Sequence, residues 1–142
     1  MRPALRKLIE DEQGQALTEF AMILPVLMMV LFAIFQFGVA FNNYIEVTSA
    51  AREGARKGAV SRGAGNCATV SSLAITAAKN AAPNLNWGAS GAGVTVTDTC
   101  ASNAVSPNTD FTVKASYPWT VQIFGHPVVS GTMSSSTTMR VE

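Results

Sequence analysis

The sequence predicts an α+β fold, in which a long amino-terminal helix precedes a small domain of one further helix and a mostly antiparallel sheet. Three observations carry this prediction. A charge-free apolar run covers residues 20–45. Small or apolar residues then recur with helical spacing over 47–58 and 70–81, and from residue 94 onward apolar and polar residues alternate as in β-strands. We therefore predict a long helix at 15–62, followed by a small α+β domain at 63–142.

The composition excludes several classes of protein. The chain has 142 residues and a net charge of +1, and 13% of its residues are charged, whereas soluble domains average about 25%. Hydrophobic residues make up 48%, which is too many for a disordered chain. The near-zero net charge argues against a nucleic-acid partner, and the length excludes a multidomain enzyme.

The apolar run is long enough to cross a bilayer. No charged residue occurs between Glu19 and Glu46, and residues 20–41 alone would cover a hydrocarbon core of ~30 Å. A buried core helix is one alternative, but so small a domain cannot cover such a long apolar cylinder. A signal peptide is another, but its apolar region is only about 7–15 residues long. Pro25 lies inside the run, and membrane helices tolerate proline better than soluble helices do.

Small residues form one face of the helix after the apolar run, namely Ala51, Gly54, Ala55 and Gly58. Two interpretations stay open. The face could pack on the chain's own domain, or it could pack against helices of other subunits, because small side chains let two backbones approach closely. Basic residues flank the apolar run on both sides, so charge alone does not orient the helix in a membrane.

The remainder of the chain predicts one helix and a sheet. Residues 68–82 have an amphipathic stripe, and Pro83 ends this helix. Alternation predicts strands around 94–96, 111–117, 119–123 and 133–141, with an interruption at Pro118 and a turn at 125–127. An antiparallel sheet can keep one face in water, which suits the many Ser and Thr residues of these segments.

Residues that could carry chemistry are few. Cys67 and Cys100 form no CxxC motif, and His126 is the single histidine, so we predict no metal site and no cofactor. The cysteines could form a disulfide, which would close a loop of about 33 residues and stabilise the domain by ~3–4 kcal/mol, or they could be free thiols. A disulfide would favour a location outside the cytoplasm. Asp98 and Asp110 are isolated, and no nucleophile or phosphate-binding motif occurs, so no catalytic residue and no enzymatic activity are predicted.

The junction before the apolar run has an unusual order of residues. A hydrophilic leader at 1–13 precedes Gly14, Gln15 follows, and Glu19 and Phe20 then abut the apolar run. Glu19 alone could be an ordinary interfacial glutamate. The order resembles the class III leader of type IVb pilins, in which a membrane aspartyl prepilin peptidase cuts after the glycine. The resemblance implies a cleaved leader at 1–14 and a new amine on Gln15, which the Glu19 of a neighbouring subunit neutralises.

The resemblance extends to the TadE-like (TadE/TadG) family, pilin-like minor subunits of the tight-adherence (Tad) system that builds Flp pili. The segments that carry it run from Gly14 to Pro25, over Phe37-Gly38 and over 50–56, and more weakly over 138–142. It implies a pilin-like fold that crosses the inner membrane once, over about 20–41, with a cytoplasmic amino terminus and a periplasmic domain. The implied partners are prepilin peptidase, other pilins and minor pilins, the inner-membrane assembly platform and membrane lipid.

The expected function is that of a minor pilin or pseudopilin in pilus assembly, acting in adhesion or secretion. The alternative is a membrane-anchored extracytoplasmic binding module that uses the helix only as a tether.

Overall fold

The computed structural model describes residues 12–97, 100–101, 104–123 and 125–141. The chain divides into two compact units between Val39 and Ala40. The elements, in chain order, are α1 (Glu12–Val60), a 3₁₀ turn (Arg62–Ala64), α2 (Cys67–Asn80), β1 (Gly93–Thr97), β2 (Cys100–Ala101), β3 (Ala104–Val105), β4 (Asp110–Ile123) and β5 (His126–Arg140).

The first unit is helical throughout its described part, and most of its described side chains are exposed. Every side chain from Gly14 to Phe35 is exposed, and Pro25 lies inside the helix without ending it. Among the described residues, α1 is the one helix that is long and apolar enough to cross a membrane, and none of its most apolar stretch is buried. Its length and composition are those of a single-pass membrane anchor.

The second unit is an α+β domain, as the sequence predicts. β4 is the central strand of an antiparallel sheet with the order β1-β4-β5, and β2 and β3 form a separate two-residue hairpin. Inward residues of β4, such as Phe111 and Val113, meet buried residues of α1 and α2 in the core. The opposite face of the sheet carries hydroxyl groups, and the Oγ1 atoms of Thr112 and Thr138 are 2.8 Å apart across β4 and β5.

The second helix lies within two residues of its predicted bounds. Asn66 caps it, because its side chain accepts a hydrogen bond from the backbone N–H of Thr69 at 2.9 Å. The helix ends at Asn80, ahead of Pro83. Val70, Ala74 and Ala78 form its buried stripe, so the amphipathic pattern identified the correct face.

Two expectations about the strands are wrong. Pro118 does not interrupt β4, which runs unbroken from Asp110 to Ile123. β1 pairs with β4 only as far as Ser116. At Pro118 no strand among the described residues lies on that side of β4, so no backbone N–H is needed there. The turn predicted at 125–127 is also shorter, because β5 already begins at His126, after Gly125 with a φ of 80°.

Candidate processing and assembly site

The junction residues Gly14 to Phe20 lie in the first turns of α1 and are exposed. The side-chain amide of Gln15 donates a hydrogen bond from Nε2 to Oε1 of Glu19, over 3.4 Å. The hydroxyl of Thr18 donates to the carbonyl oxygen of Gln15, over 2.8 Å. Because residues four apart share one face of a helix, Gln15 and Glu19 are neighbours on the surface of α1.

Gly14 is helical and makes no close contact in the described part of the chain. A Cβ atom added there would meet nothing within 4 Å. The fold therefore gives no packing reason for a glycine at this position.

Glu19 stands at the boundary between the polar start of α1 and its apolar surface. The next residue, Phe20, is 56% exposed, and large exposed apolar side chains then continue to Ile45. The site thus combines an accessible peptide bond, an acid and an apolar helix surface.

The small-residue face of α1 packs on the chain's own domain, which is one of the two interpretations that the sequence left open. Ala51, Gly54, Ala55 and Gly58 are all buried. A Cβ atom on Gly58 would overlap the ring of Phe111. The corresponding atom on Gly54 would lie 3.0 Å from the Cβ of Ala78 and 3.1 Å from Cγ1 of Val113.

The physical reason is that the sheet and α2 both approach α1 closely along this face. Of the two interpretations of the sequence pattern, packing on the chain's own domain therefore describes these four residues. The same small side chains that would admit a second subunit's helix instead admit the Phe111 ring and the backbone of α2.

Sequence reasoning missed the role of Glu46, the first charged residue after the apolar run. Its Oε1 accepts hydrogen bonds from Nδ2 of Asn84, at 2.8 Å, and from Nδ2 of Asn42, at 3.3 Å. Its Oε2 is buried and has no hydrogen-bond partner among the described residues. The signal in the sequence is its place at the end of the charge-free run, but the pairing with Asn84, 38 residues away, leaves no local pattern.

The remaining candidate residues lie apart from this junction. Cys67 is the first residue of α2, packs against the core cluster that contains Phe111, and is not a free thiol. Cys100 begins β2, but its side chain lies outside the described residues, so its pairing with Cys67 stays a prediction. Asp110 and His126 are exposed on the sheet, and Asp98 lies outside the described residues. Among the described residues, no group of three or more His, Cys, Asp or Glu could hold a metal ion.

These features define a class of protein, a single-pass membrane anchor with a small α+β domain. Residues 14–56 match the family model described as TadE-like protein, and this match confirms the resemblance for that segment. It covers the Gly14–Phe20 junction, the apolar run and most of the small-residue face. The match covers 43 of the 142 residues, so the likeness holds for that segment of the chain. Comparisons with curated proteins and with solved structures found no match.

Proposed function

We propose that the chain is a minor pilin or pseudopilin that takes part in the assembly of tight-adherence (Flp, type IVb) pili. The observation that carries the proposal is the junction of Gly14, Glu19 and Phe20, which is exposed, belongs to the TadE-like segment and leads directly into the apolar helix surface. The chain enters the inner membrane by residues 20–41, with its amino terminus in the cytoplasm and its domain in the periplasm.

Prepilin peptidase cuts the peptide bond between Gly14 and Gln15. Water supplies the hydroxyl group to the Gly14 carbonyl carbon and a proton to the Gln15 nitrogen, so residues 1–14 leave and Gln15 carries a new amine. The exposure of the junction and the lack of packing around Gly14 support access by the peptidase.

The Glu19 carboxylate neutralises the new amine of a neighbouring subunit when the helices pack. An unpaired charge in apolar surroundings costs several kcal/mol, so the pair forms as the subunits leave the lipid headgroups. In the uncut chain Glu19 accepts a long hydrogen bond, 3.4 Å, from the amide of Gln15. A charge-assisted bond to an amine is shorter, about 2.7–2.9 Å, and stronger, so it replaces the amide bond.

Substitution of Glu19 tests this pairing. In the native host, E19A should enter the membrane fraction like the unmodified protein but be lost from assembled, sheared pili or from complexes with other pilins. The matched control is E53A, which removes another acid of α1 whose side chain is partly exposed and forms an ion pair with Arg56, at 2.9 Å. If E19A assembles as efficiently as E53A, Glu19 has no pairing role.

A membrane-anchored binding module is the second candidate. The burial of Ala51, Gly54, Ala55 and Gly58 in the chain's own domain favours it, because these residues leave no free face there for another subunit. The two candidates differ when residues 15–45 are replaced by an unrelated membrane helix, which spares the buried stretch that begins at Val47. A tethered module keeps its function after the exchange, whereas a pilin-like subunit loses assembly.

We also propose that Cys67 and Cys100 form a disulfide, which agrees with a periplasmic domain. Alkylation of the unfolded full chain should modify neither cysteine before reduction and both cysteines after it, as read by mass spectrometry. Modification of both without reductant would exclude the disulfide.

A further inference from the structure

Gln15 becomes the first residue of the chain when the bond after Gly14 is cut, so its chemistry as a first residue rests on the proposed function. Glutamine is unusual in that position, because its own side chain carries an amide carbon that the new amine can reach. Attack on that carbon closes a small lactam ring, pyroglutamate. In the uncut chain the same nitrogen belongs to a peptide bond, and its lone pair is not free to attack.

Ring closure takes place within the residue itself. The lone pair of the α-nitrogen attacks Cδ, a new bond forms between these two atoms, and the bond between Cδ and Nε2 breaks. Nε2 takes one proton from the attacking nitrogen and leaves as ammonia, so no oxidant, reductant or other reactant is needed. The product is a neutral lactam, which has no amine that could carry a positive charge.

The structure shows the side-chain amide of Gln15 turned along the helix toward Glu19. Nε2 of Gln15 donates a hydrogen bond to Oε1 of Glu19 over 3.4 Å, and both side chains are exposed. Glu19 lies about one turn further along α1, so this bond holds the amide away from the start of the helix. Cδ has to swing back to the α-nitrogen for ring closure, and the hydrogen bond breaks when it does.

The charge of Glu19 acts on the other reacting group, the amine. Each Cα–Cβ bond in an α-helix tilts toward the amino terminus, so a long side chain covers the turn that precedes its own residue. The carboxylate of Glu19 therefore extends back toward residue 15, where the new amine forms. An opposite charge within about 4–6 Å favours the charged form of a group by a factor of about ten or more. The ammonium form has no lone pair and cannot attack Cδ.

We propose that Gln15 is a modification site, where the cut but unassembled chain cyclises with loss of ammonia, and that the chain's own Glu19 slows this reaction. Cyclisation removes the positive charge that the Glu19 of a neighbouring subunit neutralises, so a cyclised subunit cannot form that pair. In an assembled subunit the paired amine stays protonated, and Gln15 stays open. The reaction thus limits how long a cut subunit remains competent for assembly.

The intact mass of the cut chain tests the proposal. The full-length protein is purified in detergent micelles from a strain without prepilin peptidase, cut by added peptidase, and followed over several days. The cut chain should become lighter by one ammonia, and peptide mapping should locate the loss at Gln15. E19A and E19Q both lack the charge and should react about tenfold faster than the unmodified chain.

Two control variants separate this reaction from other effects. E53A removes an acid of α1 that is distant from Gln15 in the sequence, and it should react at the rate of the unmodified chain. Q15A has no side-chain amide at the new terminus and should keep its mass. In the native host, sheared pili should contain open Gln15, whereas the unassembled chains in the membrane should contain the lactam.

Several results would overturn the proposal. A cut chain that keeps its full mass in every variant would exclude the modification and leave the cleavage intact. Equal rates in E19A, E19Q and E53A would show that Glu19 does not protect the terminus, and loss of ammonia from Q15A would place the reaction at another amide. Equal amounts of lactam in pili and membrane would show that pairing does not preserve the amine. A chain that the peptidase leaves uncut would instead refute the proposed function, and the modification with it.

Discussion

Alanine in place of Gly58 tests the close approach of α1 to the sheet. Gly58 is buried, and the ring of Phe111, which is itself fully buried, occupies the position that a Cβ would take. The ring is enclosed by other core residues, Ala55, Val70 and Val113 among them, so it cannot turn aside without moving the core. We therefore expect G58A to destabilise the domain even though alanine is the better helix former.

The magnitude follows from two opposing contributions. Alanine stabilises the interior of a helix by ~1 kcal/mol relative to glycine. Excess volume in a well-packed core costs ~1–3 kcal/mol, and overlap with several atoms of one ring places this site at the upper end. The net loss in the free energy of unfolding is about 2 kcal/mol, which corresponds to a fall in melting temperature of about 10 °C for a domain near 100 residues.

The assay is thermal unfolding of the full chain in detergent micelles, followed by near-ultraviolet circular dichroism. The control is G63A, because a Cβ on Gly63 would meet nothing within 4 Å, and its melting temperature should hardly change. F111L should reduce the cost of G58A, since residues in contact couple by about 0.5–3 kcal/mol. An unchanged or higher melting temperature for G58A, with no coupling to F111L, would refute the packing and return this face to contacts with other subunits.

Two further predictions concern polar side chains of the domain. N66A should lower the free energy of unfolding by ~1 kcal/mol, because it removes the acceptor for the backbone N–H of Thr69 at the start of α2. N66D keeps an acceptor and is the control. Equal stability of N66A and N66D in thermal unfolding would contradict the capping role. E46A should speed hydrogen–deuterium exchange in the loop at residues 81–92, because it removes the acceptor for the side chain of Asn84. E46Q keeps an acceptor and is the control. Equal exchange rates in the two variants would show that Glu46 does not stabilise this loop.

The sequence predicted the elements whose patterns are local. The charge-free run predicted an apolar helix whose surface faces lipid or another protein, and its large side chains are exposed in the structure. Period-two alternation predicted the inward face of β4, where Phe111, Val113 and Ala115 are buried. The interruption predicted at Pro118 was wrong because a proline breaks a strand only where a neighbouring strand needs its backbone N–H. How far β1 extends along β4 is known only from the register of the sheet.

The candidate site was also predictable from the sequence only where its pattern is local. The order of Gly14, Glu19 and Phe20 is a contiguous motif, so it could be recognised without a structure. The role of Gly54 and Gly58 could not, because packing on a sheet and packing on another subunit both require small residues at helical spacing. Phe111, 53 positions after Gly58, decides between them, and no local pattern connects the two residues.

The division of α1 explains why one helix serves two environments. Large side chains are exposed along its apolar run, whereas Val47, Ala50, Ala51 and Ala55 are fully buried in the domain. Exchange of the first part should therefore leave the domain folded, whereas changes after Val47 act on the core. This separation is what makes the helix-exchange experiment interpretable.

The amino terminus of the mature protein tests the central claim most directly. The full-length protein would be isolated from its native host, with prepilin peptidase active in one strain and deleted in another, and its intact mass and amino-terminal sequence determined. The account predicts a chain that begins at Gln15 in the first strain and at Met1 in the second. A chain that still begins at Met1 while the peptidase is active would contradict it.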